Sequence, residues 1–279
     1  MLASLTVSRE SHLDHDWHLL ATLLFAFSTA GSEVLQFDRM SEAATPCYFE
    51  WRDIYPELSV LIKNLDMIKE EAGVAMQQDW VPWPEDHVGW APHSDKMKRD
   101  WTVFPFLHTF PALDASKSRW IGSTVEMCPR TSTLLRTLPN VRTALFSRLG
   151  PSTRLAPHTG WSDLANYVLR CHLCLHMDNV PADNIEMMMD DEGNLPRELE
   201  GNLRGEKGTC GMWVDGEVQY HSPGKIIVFD DSKRHKAFNY SIKERVVLIV
   251  DLLRPMSVAH GTAKGGHTPE LNVIIDHFK

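Results

Sequence analysis

Positive charge is in short supply in this 279-residue chain: 28 Lys and Arg stand against 37 Asp and Glu, a formal net charge of −9. Such an acidic balance argues against nucleic acid or an anionic membrane as the main partner and leaves a small molecule or peptide as the expected ligand. Cysteine is also sparse. The five residues Cys47, Cys128, Cys171, Cys174 and Cys210 are odd in number, which excludes a disulfide-stapled scaffold and points to a reducing, cytoplasmic setting. Long apolar runs are missing as well. The most apolar stretch, "WHLLATLLFAFSTAGS" at 17–32, is too short to span a bilayer and follows no clean basic segment, so a buried N-terminal helix is expected there. One further absence is local. In "LAPHTGW", 155–161, a histidine is followed two residues later by Gly160, where His-x-Asp or His-x-Glu would give two ligands of an iron facial triad. Either a metal site lacks one ligand here, or His158 merely sits in a turn.

What is present describes a soluble globular protein, 43% hydrophobic and 23% charged. Residues 56–76 read as a helix, with Leu58, Ile62, Leu65 and Ile68 at helical spacing and Pro56 in the first turn. The Trp- and Pro-dense stretch 77–96 reads as irregular, and 128–141 as a second helix with Leu134, Leu135 and Leu138 inward. From about 142 the texture turns to β, in "TALFSRL", "NYVLRCHLCLHM", "GKIIVFDDS" and "ERVVLIVDLL". Strands at this density suggest a jelly roll or another closed β architecture. Residues 178–209 break the pattern and read as a lid or an insertion.

The metal-like "CHLCLH" at 171–176 is not read as a zinc box, because strand alternation sends Cys171 and Cys174 to opposite faces. The same alternation aims Arg170 and His172 in one direction and Leu169, Cys171, Leu173 and Leu175 in the other, a core face. Arg170 and His172 then either meet water or line an anion site. In "FDDSKRHKAFN", 229–239, two aspartates precede His235, and Arg245 follows ten residues on in an apolar strand. A buried arginine there needs a carboxylate. Asp231, Asp251 or a bidentate ligand would each serve.

Taken together, "WTVFPF" at 101, "CPRTSTLLRTLPNV", "FSRLGPSTRLAPHTG", "LRCHLCL", "FDDSKRH" and "RVVLIVDLLRP" ending at 255 resemble the aspartyl/asparaginyl β-hydroxylase family. These are iron(II)- and 2-oxoglutarate-dependent oxygenases with a double-stranded β-helix fold. The resemblance implies a mainly β protein with a helical N-terminal part. A helical, Trp/Pro-rich extension would cover 1–100, an oxygenase core 101–255 with the 178–209 insertion, and a tail 256–279. It implies Fe(II), 2-oxoglutarate and O2 as cofactors, with His158 and His235 as metal ligands. Arg245 would hold the far carboxylate of 2-oxoglutarate, with Ser147, Arg170 and His172 at other cosubstrate positions. Asp231 is implied as an outer-sphere acid holding metal-bound water, and Gly160 as a true feature of the site, since His-Thr-Gly members bind iron through two histidines. The chain departs from the family between His158 and Arg170, which lie further apart than usual, and at 178–209, so peptidyl Asp or Asn is only a default substrate. Two alternatives remain at this stage: a halogenase with chloride beside Gly160, or a silent binding protein of the same fold.

Overall fold

A computed structural model describes residues 45–83, 88–90, 100–177, 210–269, 271 and 276–277. The stretches 17–32 and 178–209 lie outside these. The strands, in chain order, are β1 (Tyr48–Phe49), β2 (Val81–Pro82), β3 (Val88–Trp90), β4 (Trp101–His108), β5 (Arg119–Trp120), β6 (Val141–Leu149) and β7 (Thr153–Leu155). They continue with β8 (Val168–His176), β9 (Cys210–Val214), β10 (Glu217–Tyr220), β11 (Ile226–Phe229), β12 (His235–Asn239) and β13 (Arg245–Leu253). An eight-stranded sheet runs β1-β11-β8-β13-β6-β4-β2 with β5 on β4, and a five-stranded sheet runs β10-β9-β12-β7-β3. Every pairing given for the two sheets is antiparallel. The fold is the double-stranded β-helix, or jelly roll, that the sequence leads one to expect.

The larger sheet is covered on both faces of its central strands, and the period of two sorts the residues into an apolar face and one that carries the charged groups. Val246, Leu248, Val250 and Leu252 of β13 join Leu169, Cys171, Leu173 and Leu175 of β8 in one buried cluster with Leu58, Leu61, Ile68 and Ala72 of the helical layer. Each such large aliphatic side chain contributes about 1.5–3 kcal/mol by leaving water. The alternate residues Arg245, Val247, Ile249 and Asp251 of β13, and Arg170, His172 and Cys174 of β8, are left for the inner face. A one-residue register slip would exchange the two sets, so register here is strongly specified.

Several local expectations are corrected. The helix expected over 56–76 is a 3-10 turn Pro56–Leu58 followed by helices Ser59–Lys63 and Leu65–Ala75. It breaks at Asn64, whose Nδ2 donates back to the Val60 carbonyl at 2.9 Å, the kind of local side-chain bond that competes with helix. The helix expected over 128–141 is Pro129–Arg136. Pro139 and the left-handed Asn140, φ 58°, turn the chain into β6. A helix at Gly122–Met127 precedes it. The stretch 77–96 contributes two short strands, β2 and β3, and β structure begins at β1 and β4 rather than near 142. One cap comes from a distance: the buried Glu71 carboxylate accepts from the Arg130 and Thr131 amides at 3.0 and 2.7 Å, which satisfies the start of Pro129–Arg136. All five cysteines are buried, and none is in a disulfide among the described residues. No helix among the described residues is long and apolar enough to cross a membrane.

Candidate functional site

His158 and His235 face each other across a two-residue bridge. The His158 amide donates to the His235 carbonyl at 3.0 Å and the His235 amide to the His158 carbonyl at 2.8 Å. Their ring centroids lie 4.5 Å apart. Each Nδ1 lies beside a carbonyl two residues upstream, Ala156 O at 2.8 Å and Lys233 O at 2.9 Å. A carbonyl only accepts, so each Nδ1 carries the proton and each Nε2 keeps a lone pair. Two imidazoles oriented this way are a donor set that suits iron(II), with the Ala156 and Lys233 carbonyls fixing the tautomer. Among the described residues no cluster of three or more His, Cys, Asp or Glu is arranged for a metal.

Gly160 is explained by Asp231. The Gly160 amide donates to the Asp231 carbonyl at 2.9 Å, which brings the two backbones together. A Cβ on residue 160 would stand 2.0 Å from Asp231 Oδ2 and 2.7 Å from Ala165 Cβ. The space that a residue-160 carboxylate would need already holds a carboxylate. Its other oxygen, Asp231 Oδ1, lies 3.3 Å from His235 Nε2.

Arg170 holds that carboxylate in place. Register sets Arg170 directly opposite Asp251 on β13 and Phe229 on β11, one residue short of the Asp230–Asp231 turn. Its Nε and Nη2 donate to Asp251 Oδ1 and Oδ2 at 2.8 and 2.9 Å, and Nη1 to Asp231 Oδ1 at 2.6 Å. Burial alone would lower the Arg170 pKa, but the two carboxylates raise it, so the group is permanently charged. Burial in turn pushes both carboxyls up, and the shared guanidinium opposes it. Arg170 lines the site, with its guanidinium occupied by two aspartates.

Arg245 is the opposite case. It is 1% exposed, and Nε and Nη1 have no hydrogen-bond partner. Burial lowers its pKa, and only the Cys210 and Cys174 thiols counter this. Neither aspartate expected as a possible partner serves it. Arg245 shares a cavity with Trp101, Ser147, His158, Arg170 and His172. Ser147 Oγ accepts from Trp101 Nε1 at 3.1 Å. Both ring nitrogens of buried His172 lack partners, and burial, with help from neighbouring positive charge, drives its pKa well down, so the ring is neutral. A buried, unpaired guanidinium is costly unless an anion meets it. One end of the cavity thus offers two nitrogen donors for a metal and the other a bare cation, a layout that fits iron with a dicarboxylate between.

The six cavity-lining and metal positions expected from the sequence, Ser147, His158, Arg170, His172, His235 and Arg245, all border this one cavity, with Gly160 and Asp231 beside it. Two residues escaped sequence reasoning. Trp101 stacks toward His158, centroids 6.0 Å apart. His221 lies parallel to His172 at 5.6 Å and 18°. A histidine in "QYHSPGK" carries no local mark, since only register brings it to His172. From Trp101 an aromatic row continues through Trp83 and Trp161 to Phe110, at 4.8, 5.5 and 5.6 Å. It borders a second, apolar cavity.

The sequence of residues 62–255 matches the model of a family described as aspartyl/asparaginyl beta-hydroxylase. The chain is 31% identical over 132 residues to an ornithine lipid ester-linked acyl 2-hydroxylase of Rhizobium tropici, covering 47% of this chain and 37% of that protein. It is 28% identical over 176 residues to aspartate beta-hydroxylase domain-containing protein 2 of Mus musculus, covering 60% and 39%. The chain thus spans under two-fifths of the length of these curated relatives. A 2OG-Fe(II) family oxidoreductase from Burkholderia pseudomallei is similar in structure, with a TM-score of 0.40 and 11% identity over 69% of this chain and 81% of that one. With the family match extending over more than half of its length, this chain belongs to the aspartyl/asparaginyl beta-hydroxylase family.

Proposed function

We propose that the protein is an iron(II)- and 2-oxoglutarate-dependent hydroxylase with a two-histidine metal site. His158 and His235 hold the metal through Nε2, and Arg245 holds the far carboxylate of 2-oxoglutarate bidentately. Bound iron, 2-oxoglutarate and O2 together supply the oxidising chemistry, which yields succinate and CO2 and places one oxygen atom on a substrate carbon. Arg170 fixes Asp231, and Asp231 in turn supplies negative charge beside the metal from outside the ligand set. Ser147 and the neutral His172 ring line the path between the two ends. The observation that carries this reading is Arg245, a fully buried guanidinium with unpartnered N–H groups in the same cavity as the two imidazoles.

The halogenase alternative is disfavoured by Asp231. A halide needs the space beside Gly160, and the Asp231 carboxylate is both there and of the wrong sign. A silent binder has no evident use for an unpaired buried Arg245. The relatives' names and the aromatic row beside Trp101 support an acyl chain, a peptidyl Asp or Asn, or a related small molecule as substrate, with hydroxylation at an unactivated carbon. The test is a screen of acyl-amide and peptide substrates under O2, scoring succinate release and product mass with and without chloride. A gain of one oxygen in both conditions supports hydroxylation, a gain of chlorine supports the halogenase, and no succinate from any substrate despite iron binding supports the silent binder.

A further inference from the structure

His221 belongs to no part of the site that the sequence or the family comparison assigns. It directly follows β10, and its amide donates to the Cys210 carbonyl at 2.9 Å, which ties it to the start of β9 in the smaller sheet. It is 2% exposed, and neither ring nitrogen has a hydrogen-bond partner. Its ring stacks on that of His172, which comes from the larger sheet and whose nitrogens are equally unpartnered. Burial lowers the His221 pKa first, and the Arg245 charge is the next cause; His172, on which His221 stacks, lines the same cavity as Arg245. Two buried imidazoles and one buried guanidinium accordingly gather between the sheets, with six polar atoms that no protein group satisfies.

Buried polar atoms in native proteins are overwhelmingly paired, and a cluster of orphans marks a place where something outside the chain is bound. The alternatives are poor. A packing role would be served as well by a phenylalanine, without the cost of burying four imidazole nitrogens. A metal is also disfavoured, because parallel rings do not direct their nitrogens at a common point. A carboxylate fits: it carries the charge that Arg245 lacks, and its lone pairs accept N–H groups from several directions.

We infer that His221 is a cosubstrate-binding residue, which completes with Arg245 and His172 a three-sided carboxylate pocket spanning both sheets. This deepens the proposed function, since it assigns the pocket to the far carboxylate of 2-oxoglutarate. Each imidazole donates one N–H, and the guanidinium supplies the charge. The pocket closes only when β8, β13 and the end of β10 are all in register, so carboxylate binding ties the two sheets together.

The test uses the full chain and two probes: 2-oxoglutarate in the presence of Mn(II), and glutarate without metal, each followed by calorimetric titration. His221→Phe keeps the ring stack and removes the donors; His221→Gln keeps a donor. For both probes the phenylalanine variant is expected to bind tenfold or more weakly, the loss that follows from one hydrogen bond to a charged group. The glutamine variant is expected to stay within about threefold of wild type, and Mn(II) affinity to be unchanged in both. Wild-type affinity for both probes in a folded His221→Phe chain would overturn the inference and leave the cofactor assignment standing. Glutarate binding that depends on His221, with no added affinity for 2-oxoglutarate from Mn(II), would sink the cofactor assignment and keep the pocket. No binding of either probe to wild type would sink both. If His221→Phe does not fold, the imidazole 15N signals of His221 in the wild-type chain decide: they shift on adding glutarate if the inference holds and stay put if it fails.

Discussion

Gly160 and Asp231 occupy what is sterically one position: a Cβ on the glycine would come within 2.0 Å of the aspartate's Oδ2. The missing ligand noticed in "HTG" is therefore a consequence of an acid supplied by the neighbouring strand end. Even a methyl group at 160 must displace Asp231 from its place beside His235. Gly160→Ala is expected to weaken Mn(II) binding by about ten- to hundredfold, the range seen when a residue that supports a metal ligand is lost, and Gly160→Asp to do no better. Pairing Gly160→Asp with Asp231→Gly relieves the clash and recovers much of the affinity. Calorimetric or EPR-monitored Mn(II) titration checks the series; a Gly160→Asp single variant that binds more tightly than wild type would show that the space is free after all.

Two arginines on the same inner face, Arg170 half-buried and Arg245 fully buried, behave oppositely. Arg170 is matched by Asp231 and Asp251, so Arg170→Met strands two buried carboxylates and is expected to cost about 3–5 kcal/mol of stability. Arg245 has no such partners, and Arg245→Met replaces an unpaired charge by apolar volume. Its stability is expected to equal or exceed that of wild type while 2-oxoglutarate binding is lost. Urea unfolding of the two variants compares them directly, and equal destabilisation would mean that Arg245 has a structural partner.

The site turn depends on a second ion pair, between Arg254 and Asp230, supported by Ser232 and Thr45. Burial pushes the Asp230 carboxyl up, but Arg254, Ser232 and Thr45 outweigh this and hold it below the ordinary value. A depressed folded-state pKa means that folding favours the ionised form. Its contribution is full above the unfolded value of about 3.9 and is lost as pH falls through the folded value. Asp230→Asn is therefore expected to be less stable than wild type at pH ~6, with the gap narrowing by pH ~3. Denaturant midpoints at the two pH values test this, and a constant gap contradicts it.

Much of this was legible along the chain because a strand has one unambiguous period. Alternation in "VLRCHLCLH" puts Arg170 and His172 on one face, open between water and an anion site, and Leu169, Cys171 and Leu173 on the core face; the structure turns the first pair to the cavity and the second set to the core. The partner of Arg245 was less legible, although geometry removes one candidate. Asp251 lies six residues along the same strand, roughly 20 Å away at about 3.3 Å per residue, so the two cannot meet. What assigns Asp251 to Arg170 is cross-strand register, and a single sequence does not print register. His221 and the Gly160–Asp231 overlap were hidden for the same reason, since each joins segments more than 45 residues apart. The helix expected over 56–76 buries Leu58 and Ile68 as its spacing implies, but it is broken at Asn64, whose side chain bonds the Val60 carbonyl, and Leu61 rather than the exposed Ile62 faces the core.

The most direct test of the site is an anaerobic titration of the iron(II)-loaded protein with 2-oxoglutarate, followed by visible absorption. Wild type should develop the metal-to-cosubstrate charge-transfer band, His158→Ala should abolish it, and Arg245→Met should require far more 2-oxoglutarate to produce it. A wild-type chain without the band, or one whose band survives His158→Ala, would contradict the assignment of this cavity to iron and 2-oxoglutarate.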